Sequence, residues 1–116
     1  MKHGSFNYVR TSRQRHALTT DEVALLIGQK GKAAVPQFEA GSRVPTLEVA
    51  LALQVVFGLP PREMFPELFE RIEDAVMRRA SELHARLDGL TDRFSEAKRS
   101  LLEEMPGRSV PNDATA

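Results

Sequence analysis

The chain of 116 residues contains no cysteine, which excludes a disulfide framework and any thiolate metal site. No apolar run approaches the roughly 18 residues that a membrane-spanning helix needs. No signal-peptide pattern opens the sequence, and no internal repeat divides it. A soluble, cytoplasmic protein without a membrane association is therefore expected. Excess charge is lacking as well: 16 Lys and Arg stand against 16 Asp and Glu, for a formal net charge of zero. Catalytic equipment is also missing. There is no nucleophile beside a base, no phosphate-cradling glycine loop after a strand, and no carboxylate pair in an expected pocket. Glu73-Asp74 and Glu103-Glu104 read as solvated helix faces. Neither an enzyme nor a cofactor or metal site is expected.

What is present divides unevenly. Residues 1–60 carry seven basic residues (Lys2, Arg10, Arg13, Arg15, Lys30, Lys32, Arg43) against four acids (Asp21, Glu22, Glu39, Glu48). The remainder carries nine basic residues against twelve acids, so the two parts hold +3 and −3. A mildly basic head with an acidic tail suits a DNA module joined to a separate interaction helix. The length suits one small domain plus an extension.

The most organised stretch is LTTDEVALLIGQKGKAAVPQFEAG, from Leu18 to Gly41. Thr19 and Glu22 have the spacing of a capping box, and Val23, Ala24, Leu26 and Ile27 form an apolar stripe. Gly28 and Gly31 break the helix, and a second short helix with Val35 and Phe38 inward ends at Gly41. Pro36 would cost about 3 kcal/mol inside a helix and nothing in its first turn. The second helix is therefore expected to start near Ala34, with Lys30 to Ala33 as loop.

Arg13 stands five residues before Leu18, followed by Val23-Ala24, Gly28, Val35, Phe38-Glu39, Gly41 and the phrase SRVPTLEVALALQVVFGLPPREMF. On these residues, from about Tyr8 to Phe65, the chain resembles the lambda-repressor-like (Xre) helix-turn-helix family. The resemblance implies an all-α fold: a five-helix DNA-binding domain over 8–65, with the recognition helix near 33–40 in the major groove. It implies base-facing positions at Lys32, Ala33 and Gln37, a groove contact at Thr20, and a structural ion pair between Arg13 and Glu39. It also implies a bacterial or mobile-element regulator. This chain departs from the family where Gly31, Ala33, Ala34 and Pro36 stand in place of polar readers. Gln37 can still bond an adenine edge, and Lys32 a guanine or a phosphate. Arg10, Lys30 and Arg43 are expected at phosphates, which positions a module without informing on sequence.

Around this core, residues 1–7 read as a flexible arm and Tyr8 to Ala17 as the first helix, with His16 solvated at its end. Thr46 caps a fourth helix that is apolar enough to be the back wall of the core, and Pro61 opens a short fifth one. Residues 66–105 form a helical self-association region. Val76, Leu83, Leu87, Leu90, Phe94 and Leu101 follow a heptad seam there. Gly89 is the one place where a break is expected, so the region is one long helix or a helical hairpin. Residues 106–116, with two prolines, read as a disordered tail.

The leading functional expectation is a homodimeric, sequence-specific DNA-binding transcription regulator on a palindromic double-stranded operator. The alternative is an interaction protein, such as an antiactivator, antitoxin or adaptor. It would keep the helix-turn-helix fold, lose DNA reading, and meet a protein partner through its C-terminal helices.

Overall fold

A computed structural model describes residues 5–108. Among them the chain is all-α, with seven helices and no strand. It divides into two compact units, Met1–Glu70 and Arg71–Ala116.

The first unit contains α1 (Val9–Arg15), α2 (Thr20–Ile27), α3 (Ala34–Ala40), α4 (Leu47–Phe57), α5 (Pro61–Met64) and the start of α6 (Pro66–Arg86). Its core joins Val9, Val23, Ala24, Ile27, Ala34, Val35, Phe38, Val49, Leu53, Met64 and Phe65. None of the first five helices is long enough to be stable alone, so this shared burial is what holds them helical.

Local chemistry fixes their limits. The Thr19 hydroxyl accepts from the Glu22 N–H at 3.0 Å, and the Glu22 carboxylate accepts from the Thr19 N–H at 2.9 Å. That reciprocal capping box starts α2. At its end Gly28 turns left-handed at φ +78°. The Gln29 and Gly28 N–H groups return to the Ala24 and Leu25 carbonyls, the crossed pair of bonds of a Schellman motif. α3 ends in the same way at Gly41. α1 does so too, with Leu18 N–H to Arg13 and Ala17 N–H to Gln14. Its left-handed residue is Ala17, at φ +58°. The first helix is thus shorter than the Tyr8–Ala17 expected, because the turn closes before Ala17.

Two further expectations are corrected in this unit. The N-terminal arm is not loose over residues 5–7; residues 1–4 lie outside the described residues. Asn7 is buried, its amide donates to the Phe38 carbonyl at 2.8 Å, and its Oδ1 accepts from the Val9 N–H at 3.0 Å. One side chain thus serves both the open end of α1 and the end of α3. Beside it, Tyr8 N–H donates to the Met64 carbonyl at 2.9 Å and Phe6 N–H to Glu67 at 2.8 Å. The second correction concerns α4, which is not simply a back wall. Val49 and Leu53 are buried, but Leu47, Leu51 and Val55 are 73%, 47% and 85% exposed. At four-residue steps they form a stripe on the side away from the core.

In the second unit the heptad seam is interrupted. α6 stops at Arg86 and α7 (Arg93–Arg108) starts after a turn in which Gly89 takes φ +81°. Asp92 caps α7, accepting from the Ser95 N–H at 2.9 Å and the Ser95 hydroxyl at 2.8 Å. Arg99 Nη1 donates to the Leu87 carbonyl at 2.7 Å, and His84 Nε2 lies 3.0 Å from the Glu103 carboxylate. These contacts fold the two helices back as an antiparallel hairpin, which removes the single long helix. They also remove Leu87 from the seam, since it is buried within the hairpin. The tail does not begin at Pro106, because α7 carries that proline and continues to Arg108. Pro106 has no N–H to offer the Leu102 carbonyl four residues back, so the last turn of α7 lacks that bond. Residues 109–116 of the expected tail lie outside the described residues.

Candidate nucleic-acid interface

The surface that carries most of the sequence-derived DNA contacts is built by the end of α2, the loop from Gly28 to Ala33, and α3. Pro36 is the third residue of α3, and the first helical N–H to find a carbonyl is that of Gln37, bonded to Ala33 at 3.1 Å. The proline therefore displaces no hydrogen bond. Ala33 offers no side-chain cap, so α3 begins without one. It is held from the inside instead, by Ala34, Val35 and Phe38 in the core.

That anchoring decides what faces out. Lys30, Gly31, Lys32, Ala33, Pro36, Gln37, Ala40 and Arg43 are exposed, while Thr20, the first residue of α2, is half-buried. Arg43 Nη1 donates to the Gln37 amide oxygen at 3.4 Å, and its guanidinium lies 5.4 Å from the Phe38 ring centre. The carbonyl of Gln37 is thus shared with Arg43, leaving its amide N–H groups free to donate. Lys30 and Lys32 make no ion pair among the described residues.

The only acid between residues 28 and 44 is Glu39. Arg13 Nε donates to its Oε2 at 2.6 Å and Arg13 Nη2 to its Oε1 at 3.3 Å, while Arg13 Nη1 donates to the Leu18 carbonyl at 3.0 Å. This fork-on-carboxylate pair ties α1 to α3. Its hydrogen bond holds the Arg13 guanidinium above the ordinary arginine range, against the opposing effect of partial burial. With Glu39 neutralised, the exposed surface from Lys30 to Arg43 presents three cations and no uncompensated acid.

Arg10 belongs to a different place. It lines an open groove with Ser5, Phe6, Asn7, Thr11, Glu39, Ala40 and Glu67. Besides the ion-paired Glu39, the groove holds the carboxylate of Glu67, so Arg10 lacks the acid-free setting of Lys30, Lys32 and Arg43. Asn7, in the same groove, was missed by sequence reasoning. Its signal was an Asn two residues before the first helical N–H.

The remaining expected residues, Val76, Leu83, Leu90, Phe94 and Leu101, lie in the second unit and are exposed. Among the described residues no group of three or more His, Asp or Glu is arranged to hold a metal ion. No helix there is long and apolar enough to cross a membrane. Comparison with protein families, with characterised proteins and with solved structures finds no match for this chain.

Proposed function

We propose that this protein is a sequence-specific DNA-binding transcription regulator of the lambda-repressor-like helix-turn-helix type, acting as a homodimer. The observation that carries the reading is the exposed segment from Lys30 to Arg43, where three cations stand and the one acid, Glu39, is paired with Arg13. In this reading α3 enters the major groove and the cations meet phosphates. Gln37 supplies the base-edge hydrogen bonds, while Ala33 and Ala40 touch thymine methyls. A palindromic operator, with half-sites about 34 Å apart, matches the two-fold symmetry of a dimer.

The test is selection from random duplex DNA at two salt concentrations, followed by sequencing. The expected result is a palindrome whose affinity falls as salt rises. Gln37→Ala should relax preference at one base pair per half-site, and Arg43→Ala should weaken every sequence alike, lowering the salt slope by about 1. Salt-sensitive binding with no enriched sequence would sink the reading.

The second reading is an interaction protein that has lost base recognition. Two observations favour it: Gln37 is the one hydrogen-bonding reader on an alanine- and proline-bearing helix, and α4 turns an apolar stripe outward.

A further inference from the structure

The second unit leaves one side of its hairpin uncovered. Met77, Ala80, Ser81 and His84 of α6 turn toward Leu102, Glu103 and Pro106 of α7 around a cavity of about 330 Å³. A residue one place earlier in each helix is rotated by about 100°. Because the helices are antiparallel, these earlier residues emerge on the same side of the pair. Val76 precedes Met77, Leu83 precedes His84, Phe94 precedes the buried Ser95, and Leu101 precedes Leu102. All four are exposed, as are Ile72 a turn before and Leu90 in the connection. Residues one place later, Arg78, Ala85 and Glu96, lie on the opposite side, where two of the three are charged.

We propose that a second copy of this chain covers the apolar side, so that two hairpins form a four-helix bundle. The proposal deepens the homodimer of the proposed function and rests on that reading for its biological use. Five large side chains on the two helices, Ile72, Val76, Leu83, Phe94 and Leu101, each at least two-fifths exposed, amount to on the order of 400 Å² of apolar surface. Two such sides apposed bury roughly 800 Å² of apolar surface, and the polar rim that surrounds it brings the contact to the roughly 1,000 Å² of a specific interface. An apolar side can meet its own copy across a two-fold axis without leaving a charge unpaired. Its rows recur at seven residues on both helices, Val76 to Leu83 and Phe94 to Leu101, the repeat of a bundle seam. Leu87 takes no part, being closed inside each hairpin.

The absence of cysteine makes the test clean. Full-length chains with Leu83→Cys and with Leu101→Cys, mixed in equal amounts under mild oxidant, should form a covalent dimer. Chains with Ala85→Cys and Glu96→Cys, on the opposite side, should not. Sedimentation equilibrium without DNA should give a dimer at about 10 μM. The double variant Leu83→Lys/Leu101→Lys should raise the dissociation constant at least ~100-fold, while Ala85→Lys leaves it unchanged. If the double variant loses helicity, the cysteine pairs decide. A monomeric wild type, a dimer indifferent to the two lysines, or equal cross-linking from both sides would overturn the proposal. A cross-linked dimer that enriches no DNA sequence supports the bundle and removes the regulator. A monomer that still selects a half-site removes the bundle and keeps the reader.

Discussion

Helices α1, α2 and α3 close with the same crossed pair of backbone bonds, and only α1 does so without glycine. A left-handed alanine costs on the order of 1 kcal/mol, because its Cβ crowds the backbone. Part of that is returned on substitution, since glycine makes the unfolded chain more flexible. Ala17→Gly should therefore stabilise the protein by about 0.5 kcal/mol, read as a higher denaturant midpoint with an unchanged slope. A lower midpoint would mean that the Ala17 methyl packs usefully in the turn. The same residue explains a limit of sequence reading. Gly28 and Gly41 announced their turns, whereas Ala17 carries no such sign and α1 read two residues too long at its C-terminal end. Asn7 was hidden for another reason: its partner Phe38 lies 31 residues away. Arg13 and Glu39, 26 residues apart, were paired through the family pattern, since no local spacing links them.

At the scale of elements, caps and breakers were the legible features. The Thr19–Glu22 box, Thr46 and the early position of Pro36 follow from chemistry within a few residues. The outward stripe of α4 was not legible, because a helix apolar on nearly every side gives no periodicity from which to choose a face. In the second unit the heptad spacing runs through Gly89, so the pattern alone left one helix or two. The hairpin turn ends at Asp92, where the Ser95 N–H and hydroxyl hold the carboxyl below the ordinary aspartate range. A depressed native value means that the cap is fully stabilising above the unfolded aspartate pKa of about 3.9 and is lost as pH falls through the native value. An NMR titration should show the Asp92 midpoint below that of a free aspartate, with the Ser95 amide following it. Asp92→Ala should fray the first turn of α7 at neutral pH. An ordinary midpoint would show that the capping bonds do not persist in solution.

For the whole molecule, neutrality conceals a division of labour. The basic surface lies in the first unit, around α3, and the apolar hairpin side lies in the second. If two copies are joined through the hairpin, folding and association are linked by mass action. The melting temperature should then rise with protein concentration. A melting temperature independent of concentration, measured by calorimetry over a hundred-fold range, would argue for an unassociated chain. In the proposed reading, affinity for DNA would depend on the same linkage, because two half-site contacts joined in one dimer bind far more tightly than either alone.

The bonds from the N-terminal segment also set an order of events. Asn7 reaches Phe38, Tyr8 reaches Met64 and Phe6 reaches Glu67, the last across 61 residues. During synthesis α1 therefore emerges first but cannot lock until α5 and the start of α6 have followed. The hairpin, with six residues between Arg86 and Arg93, needs only its own neighbours to close. Closing a long loop costs more entropy than closing a short one, and non-local contacts slow folding. The first segment of the basic unit to appear is thus the last to be fastened, and the contacts that fasten it span nearly the whole unit.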